Sequence, residues 1–257
     1  MHLPVALSPR VLAPFLAVTA GVLAWQASAA GGAAAPGRVS MGSNARDYQT
    51  ASLRFLESRP GRPSGYRVRI DYTNPDDPKA KPPSVREVVE VFARGTRIDT
   101  RVPARCAASD AELMLLGRSV CAPGSIVGTG FVRLDTGTPG PGRYLREDVT
   151  FLNNTRQLIF LTKDRATGAR NVVRAQVRGR RVDTEAPLLP GAATDGTAID
   201  VVRGNFPELV RMRDGHRRAY LTTPEQCAAR GYWVTRLRFA YRDGTTQTET
   251  TRNRCSS

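Results

Sequence analysis

The chain is short of histidine, tryptophan and lysine. Two histidines and two tryptophans occur in 257 residues, and three of the 38 basic residues are lysine, namely Lys79, Lys81 and Lys163. No CxxC pair is present, so a zinc site of the cysteine–histidine kind has no ligand pattern to build on. Neither G-x-S-x-G nor G-x-x-x-x-G-K-[ST] occurs, which removes the strained serine turn of the α/β hydrolases and the phosphate loop of nucleotide enzymes. No aromatic RNA-binding run, helix-turn-helix pattern or zinc finger appears, so nucleic acid is not an expected partner. No apolar run reaches the roughly 18 residues of a transmembrane helix.

What is present begins with an export leader. Met1 to Arg10 carries one positive charge and no acid, and Val11 to Trp25 is apolar or small almost throughout. Ala27-Ser28-Ala29 then offers small residues where a signal peptidase inspects the chain. Residues 1–29 therefore read as a signal peptide, and the mature chain as secreted or extracytoplasmic with no membrane span. Residues 30–46, opening with AGGAAAPGR, read as a flexible N-terminal segment. Residues 47–257 read as a single domain, with a possible sub-boundary in the Pro/Gly-rich stretch 187–196.

Four cysteines remain: Cys106, Cys121, Cys227 and Cys255. An even number in an exported chain points to disulfides. Three pairings are open; Cys106–Cys121 with Cys227–Cys255 is preferred because each pair brackets a local unit.

Between the cysteines the pattern is one of short strands. In Tyr66 to Thr73 apolar and polar residues alternate, with Tyr66, Val68, Ile70 and Tyr72 on one face. Four prolines exclude sheet from Asn74 to Pro83. Val85 to Phe92 is Val-rich and strand-like, although its spacing also suits a short helix. Ser109-Asp110-Ala111-Glu112 has the form of a capping box, and Gly117 suits a helix stop, so a short helix lies between Cys106 and Cys121. Gly128 and Gly130 mark a bulge or a close backbone approach in the strand from Ser125 to Asp135. Gln157 to Thr162 is apolar on both faces, as a strand covered on both sides must be. Tyr232 to Tyr241, Asp243-Gly244 and Thr245 to Arg252 form a hairpin, with the Asp-Gly pair suited to a two-residue turn. About nine to eleven strands at this spacing predict a mainly β fold: an antiparallel sandwich, Ig-like or jelly-roll-like, with one short helix and disulfide staples. Closure into a barrel is the alternative.

Candidate chemistry is sparse. His216, the one histidine beyond the leader, lies in the arginine-rich RMRDGHRRAY and reads as an exposed turn residue beside Asp214. Asp76-Asp77 lacks calcium-loop spacing and reads as a solvated turn. No catalytic, metal or cofactor residue is assigned. Paired carboxylates, which need only lie about 5 to 9 Å apart in a glycosidase, keep an extracellular hydrolase as the alternative function. A cleft lined by two acids and Trp233 would favour it.

Two segments, CAASDAELMLLGRSVCAPGSIVGTG and LTTPEQCAARGYWVTRLRFAYRDGTTQTETTRNRC, resemble parts of exported actinobacterial β-rich proteins of unknown function. In those a Cys-Pro pair precedes a Ser/Arg-x-x-Gly-x-Gly strand, and a Trp-to-Asp-Gly hairpin ends at a cysteine. Here Cys121-Ala122-Pro123 carries one inserted residue. The resemblance implies a secreted β protein built as one unit, and it transfers no active site.

The function expected is thus a non-catalytic secreted or cell-envelope protein, a binding or structural module. The net charge of +15 falls to +14 when Arg10 leaves with the leader. Arginines occupy the outward phase of several strands: Arg67 and Arg69, Arg174 and Arg178, Arg236, Arg238 and Arg242. Anionic envelope polymers are the partners such faces would attract if they adjoined one another; otherwise the charge is a solubilising coat.

Overall fold

The structure, a computed structural model, describes residues 39–41, 47–188, 196–213 and 215–256. The leader expected over 1–29 lies outside them, as do most of 30–46 and of 187–196. Residues 37–257 form one compact unit.

Strands β1 (Val39–Met41), β2 (Gln49–Phe55) and β3 (Tyr66–Tyr72) open the fold. Strand β1 falls inside the stretch expected to be a flexible lead, and it pairs in parallel with residues 246–248. In β3 the tyrosines, Val68 and Ile70 are buried and Arg67 and Arg69 exposed, the period-two pattern of a half-buried strand. The ambiguous Val-rich segment is strand β4 (Val85–Val91), where β-branched side chains pack on a pleated surface. The short β5 (Arg97–Ile98) leads to the cysteine-flanked segment and its helix α1 (Asp110–Leu116). There the Ser109 hydroxyl accepts from the Glu112 amide at 3.3 Å, and the Glu112 carboxylate accepts from the Ser109 amide at 2.8 Å, closing the capping box. Of the expected apolar face, Leu113 alone is buried; Met114, Leu115 and Leu116 are exposed.

Five antiparallel strands follow: β6 (Ile126–Asp135), β7 (Tyr144–Asn154), β8 (Gln157–Asp164), β9 (Arg170–Arg178) and β10 (Arg181–Glu185). Strand β8 is apolar on both sides for a visible reason. Leu158 and Phe160 point into the main core, while Ile159 and Leu161 pack on Leu113 of α1. The chain ends with β11 (Ala198–Phe206), a small hairpin of β12 (Val210–Arg213) and β13 (His216–Ala219), the short β14 (Leu221–Thr222), and the long hairpin of β15 (Tyr232–Tyr241) and β16 (Thr246–Arg254). That hairpin forms as expected, but its turn is longer than two residues. The Gly244 amide donates to the Tyr241 carbonyl at 3.2 Å and the Tyr241 amide to Thr245 at 2.9 Å, with Gly244 at a φ of 89° that its missing Cβ permits.

Twelve strands make one sheet in the order β1-β16-β15-β4-β10-β9-β8-β7-β6-β11-β3-β2. The sheet curls until β2 reaches the inner face of β16. Side chains, not a ladder, close the gap. The Tyr48, Leu53 and Phe55 amides donate to Gln247, Thr251 and Asn253 side chains at 2.9, 3.2 and 3.0 Å. Asn253 Nδ2 and Thr235 Oγ1 both donate back to the Leu53 carbonyl at 3.1 Å. The sandwich expected from strand spacing is therefore corrected to a single, nearly closed, barrel-like sheet. Strand spacing reports how many strands exist; which edges meet depends on polar side chains nearly 200 positions apart in the chain.

The two expected disulfides, Cys106–Cys121 and Cys227–Cys255, are both present. The close approach expected at Gly128 and Gly130 is real as well. A Cβ on Gly130 would overlap the Arg203 carbonyl oxygen of β11, and one on Gly128 would meet Asn205 and Phe206. That approach lets Phe206 reach inward and stack on Tyr66, ring centres 4.1 Å apart.

Candidate binding site in the open end of the barrel

The barrel has a filled end and an open one. At the filled end Tyr66, Phe92, Phe206, Leu209, Tyr220 and Leu221 are all buried together. Phe92 meets the Tyr66 ring edge-on at 5.0 Å, and Phe151 packs on Phe206 at 4.4 Å. Toward the other end the interior is not filled. A cavity of about 150 Å³ remains, with Val68, Ile70, Val88, Val149, Phe160 and Val173 among its walls. It reaches solvent beside Leu188 and Arg242, both exposed. A space of this size holds a molecule about as large as benzene.

Polar groups enter this space from three strands. Glu90 of β4 lines it, on the inward phase shared with Val88 and Phe92. Glu90 is half-buried and part of its surface lies on the cavity. No hydrogen bond or ion pair to Glu90 forms among the described residues. Loss of solvation alone pushes its carboxyl up to about 7, so near neutral pH much of it is the uncharged acid. The charge it would carry acts on the hydroxyls of Tyr66, Tyr72 and Tyr220, which burial already raises. The buried Tyr72 hydroxyl, also on the cavity wall, has no partner.

Glu147 of β7 lines the cavity nearer its opening. Burial raises its carboxyl too, and the neighbouring Asp164 charge adds to this against the opposing pull of Thr162 and Asn171. Thr162 lies beside Glu147, yet its hydroxyl finds no well-aligned hydrogen bond. Trp233 is elsewhere. It packs with Ala93, Cys227 and Cys255 at the filled end, its indole N–H donating to the Gln226 carbonyl at 2.9 Å. No cluster of three metal-ligating side chains forms among the described residues.

The sequence-singled residues fall outside this space. All four cysteines staple connections at the filled end. Cys106 donates its amide to Asn153 at the end of β7, and Cys255 donates to Gly231 just before β15. His216 is exposed on the β12–β13 hairpin opposite Arg213, and Asp214 lies outside the described residues. Asn74 accepts from the Asp76 and Asp77 amides, making the turn expected there. The arginine phases are outward but do not adjoin. Arg67 and Arg69 sit on β3, Arg174 and Arg178 on β9, and Arg236 and Arg238 on β15, with at least two strands between any two of these. Arg174 is spent locally, donating to Asp110 and to the Ala108 carbonyl at 2.7 and 2.8 Å. Glu90, Tyr72 and Glu147 went unassigned in the sequence. Their signal was there: an acid on the apolar phase of a strand, Val88-x-Glu90-x-Phe92 and Leu145-x-Glu147-x-Val149.

No protein-family model, curated protein or solved structure matches the chain.

Proposed function

We propose that this protein is a non-catalytic extracytoplasmic binding module that holds a small, mainly apolar molecule in the open end of its barrel. The observation carrying this reading is an apolar interior cavity that opens to solvent and keeps an unpartnered carboxyl and hydroxyl, Glu90 and Tyr72, on its wall. Close packing is the rule in protein interiors, and buried polar groups without partners are costly. A ligand offsets both. Two disulfides support a location outside the reducing cytoplasm, and no helix among the described residues is long and apolar enough to cross a membrane. The separated arginine faces support the coat reading of the charge over a polymer-binding surface.

Thermal unfolding with and without 1-hexanol tests the proposal. A ligand that binds only the folded chain raises the midpoint, by about 2.7 kcal/mol of stabilisation at a hundredfold excess over Kd. Val173→Phe, which fills the cavity wall, should abolish the shift while keeping the fold. No shift in the unaltered protein, or an equal shift in the filled variant, would place the ligand elsewhere or nowhere.

A further inference from the structure

Glu90 is unusual for what surrounds it. The chain carries far more basic than acidic residues, yet among the described residues no cation pairs with this carboxyl. Arg242 is the single cation on the cavity wall among the described residues; it is exposed, and its guanidinium donates to the Ala186 carbonyl at 2.8 Å. From β3 come Tyr66 and Tyr72, and from the β13–β14 connection comes Tyr220. The paired neighbours on β10 and β15 are Val182 and Leu237, without charge. Glu147 is the other acid on the cavity wall among the described residues. The floor of the cavity is therefore a carboxyl among tyrosines, with hydrocarbon walls above it.

We infer that the cavity selects an apolar molecule bearing one ammonium group, seated with the cation on Glu90 and the hydrocarbon body toward the opening. This rests on the interior site proposed above and names the ligand class of that site. An ionised carboxylate in an apolar chamber needs a counter-charge, and the described residues supply none. An ammonium group supplies it, donates hydrogen bonds to the carboxylate, and finds the electron-rich faces and hydroxyl oxygens of tyrosine favourable. A hydrocarbon alone would leave Glu90 and Tyr72 as they are, and a carboxylate ligand would add a second negative charge beside the first. The ligand enters as the ammonium ion, so the Glu90 carboxyl proton passes to solvent on binding.

Calorimetric titration of the disulfide-intact protein with hexylamine, 1-hexanol and hexanoate decides the matter. Hexylamine should bind at least about tenfold more tightly than hexanol near pH 7, and hexanoate most weakly. Glu90→Gln should cost hexylamine about tenfold or more and hexanol much less, with circular dichroism checking that the variant is folded. Repeating the hexylamine titration near pH 6 in buffers of different ionisation enthalpy should reveal net proton release, absent with hexanol; this readout needs no variant. Hexanol binding as tightly as hexylamine, or hexylamine binding without proton release, would overturn the ammonium assignment and leave the interior site standing. Failure of all three probes to bind would overturn both.

Discussion

The two ends of the barrel solve different problems with the same strands. At the filled end aromatic rings interlock, both disulfides tie long connections to the strand ends, and Trp233, Phe92 and Phe206 are almost wholly buried. At the open end turns and Pro-rich loops join the strands, no disulfide lies among the described residues, and two carboxyls face an unfilled space. Beta-branched residues line the transition, small enough to leave room. One end supplies stability, which releases the other to keep an arrangement that costs stability. Sites that bind are commonly built in this way, with locally unfavourable groups held by a rigid frame.

The sharpest way to break this contrast is to weaken each end in turn. Phe92→Ala should destabilise by about 3–5 kcal/mol, the usual cost of removing a fully buried ring. Removing either disulfide by paired Cys→Ser changes should cost about 3–4 kcal/mol for closed loops spanning 15 and 28 residues. Urea unfolding measures both. Equal losses from Val173→Ala at the open end would show that the division of labour is wrong.

Next in size is the dependence on pH. Glu90 is pushed up to about 7 in the folded chain from its ordinary 4.5, so the folded state holds its proton longer than the unfolded state. Its contribution is fully present below about pH 4.5 and is lost as the pH rises through 7, a change of about 3 kcal/mol. Glu57, held down to about 2 by Arg59, finishes titrating below this window. Glu90→Gln should therefore flatten the fall in stability between pH 5 and pH 8. An unchanged slope in the variant would mean that the open end does not carry this cost.

The smallest expected effect concerns the outer surface, where both ends are alike. Because Arg67 and Arg69, Arg174 and Arg178, and Arg236 and Arg238 stand on strands that are not neighbours, co-sedimentation with anionic vesicles should be weak at low salt and absent at physiological ionic strength, where the Debye length is about 8 Å. Retention in about 1 M salt would show a specific surface that the strand order does not suggest.

Much of the filled end was legible in the sequence because its signals are local. Ser109 and Glu112 cap a helix three residues apart, each cysteine pair brackets its own loop, and Tyr232 to Tyr241 alternates into a hairpin. Closure was not legible. Gln247, Thr251 and Asn253 look like the polar face of an ordinary strand until β2 is known to lie under them. Glu90 was obscured differently: it shares a phase with Val88 and Phe92, but the register of β4 against β15 shifts between Ala240 and Tyr241, so Val85 falls off that phase.

The seam between β2 and β16 carries a consequence for the order of assembly. Its bonds join residues close to 200 positions apart, so the ring has no closed form until both flanking strands have arrived. The hairpins from β6 to β10 need only near neighbours and are expected to form first, with the seam and the cavity wall it completes expected last. A half-made chain is thus an open, curved ribbon with no chamber to fill, and the chamber and the joining of the two chain ends are a single late event.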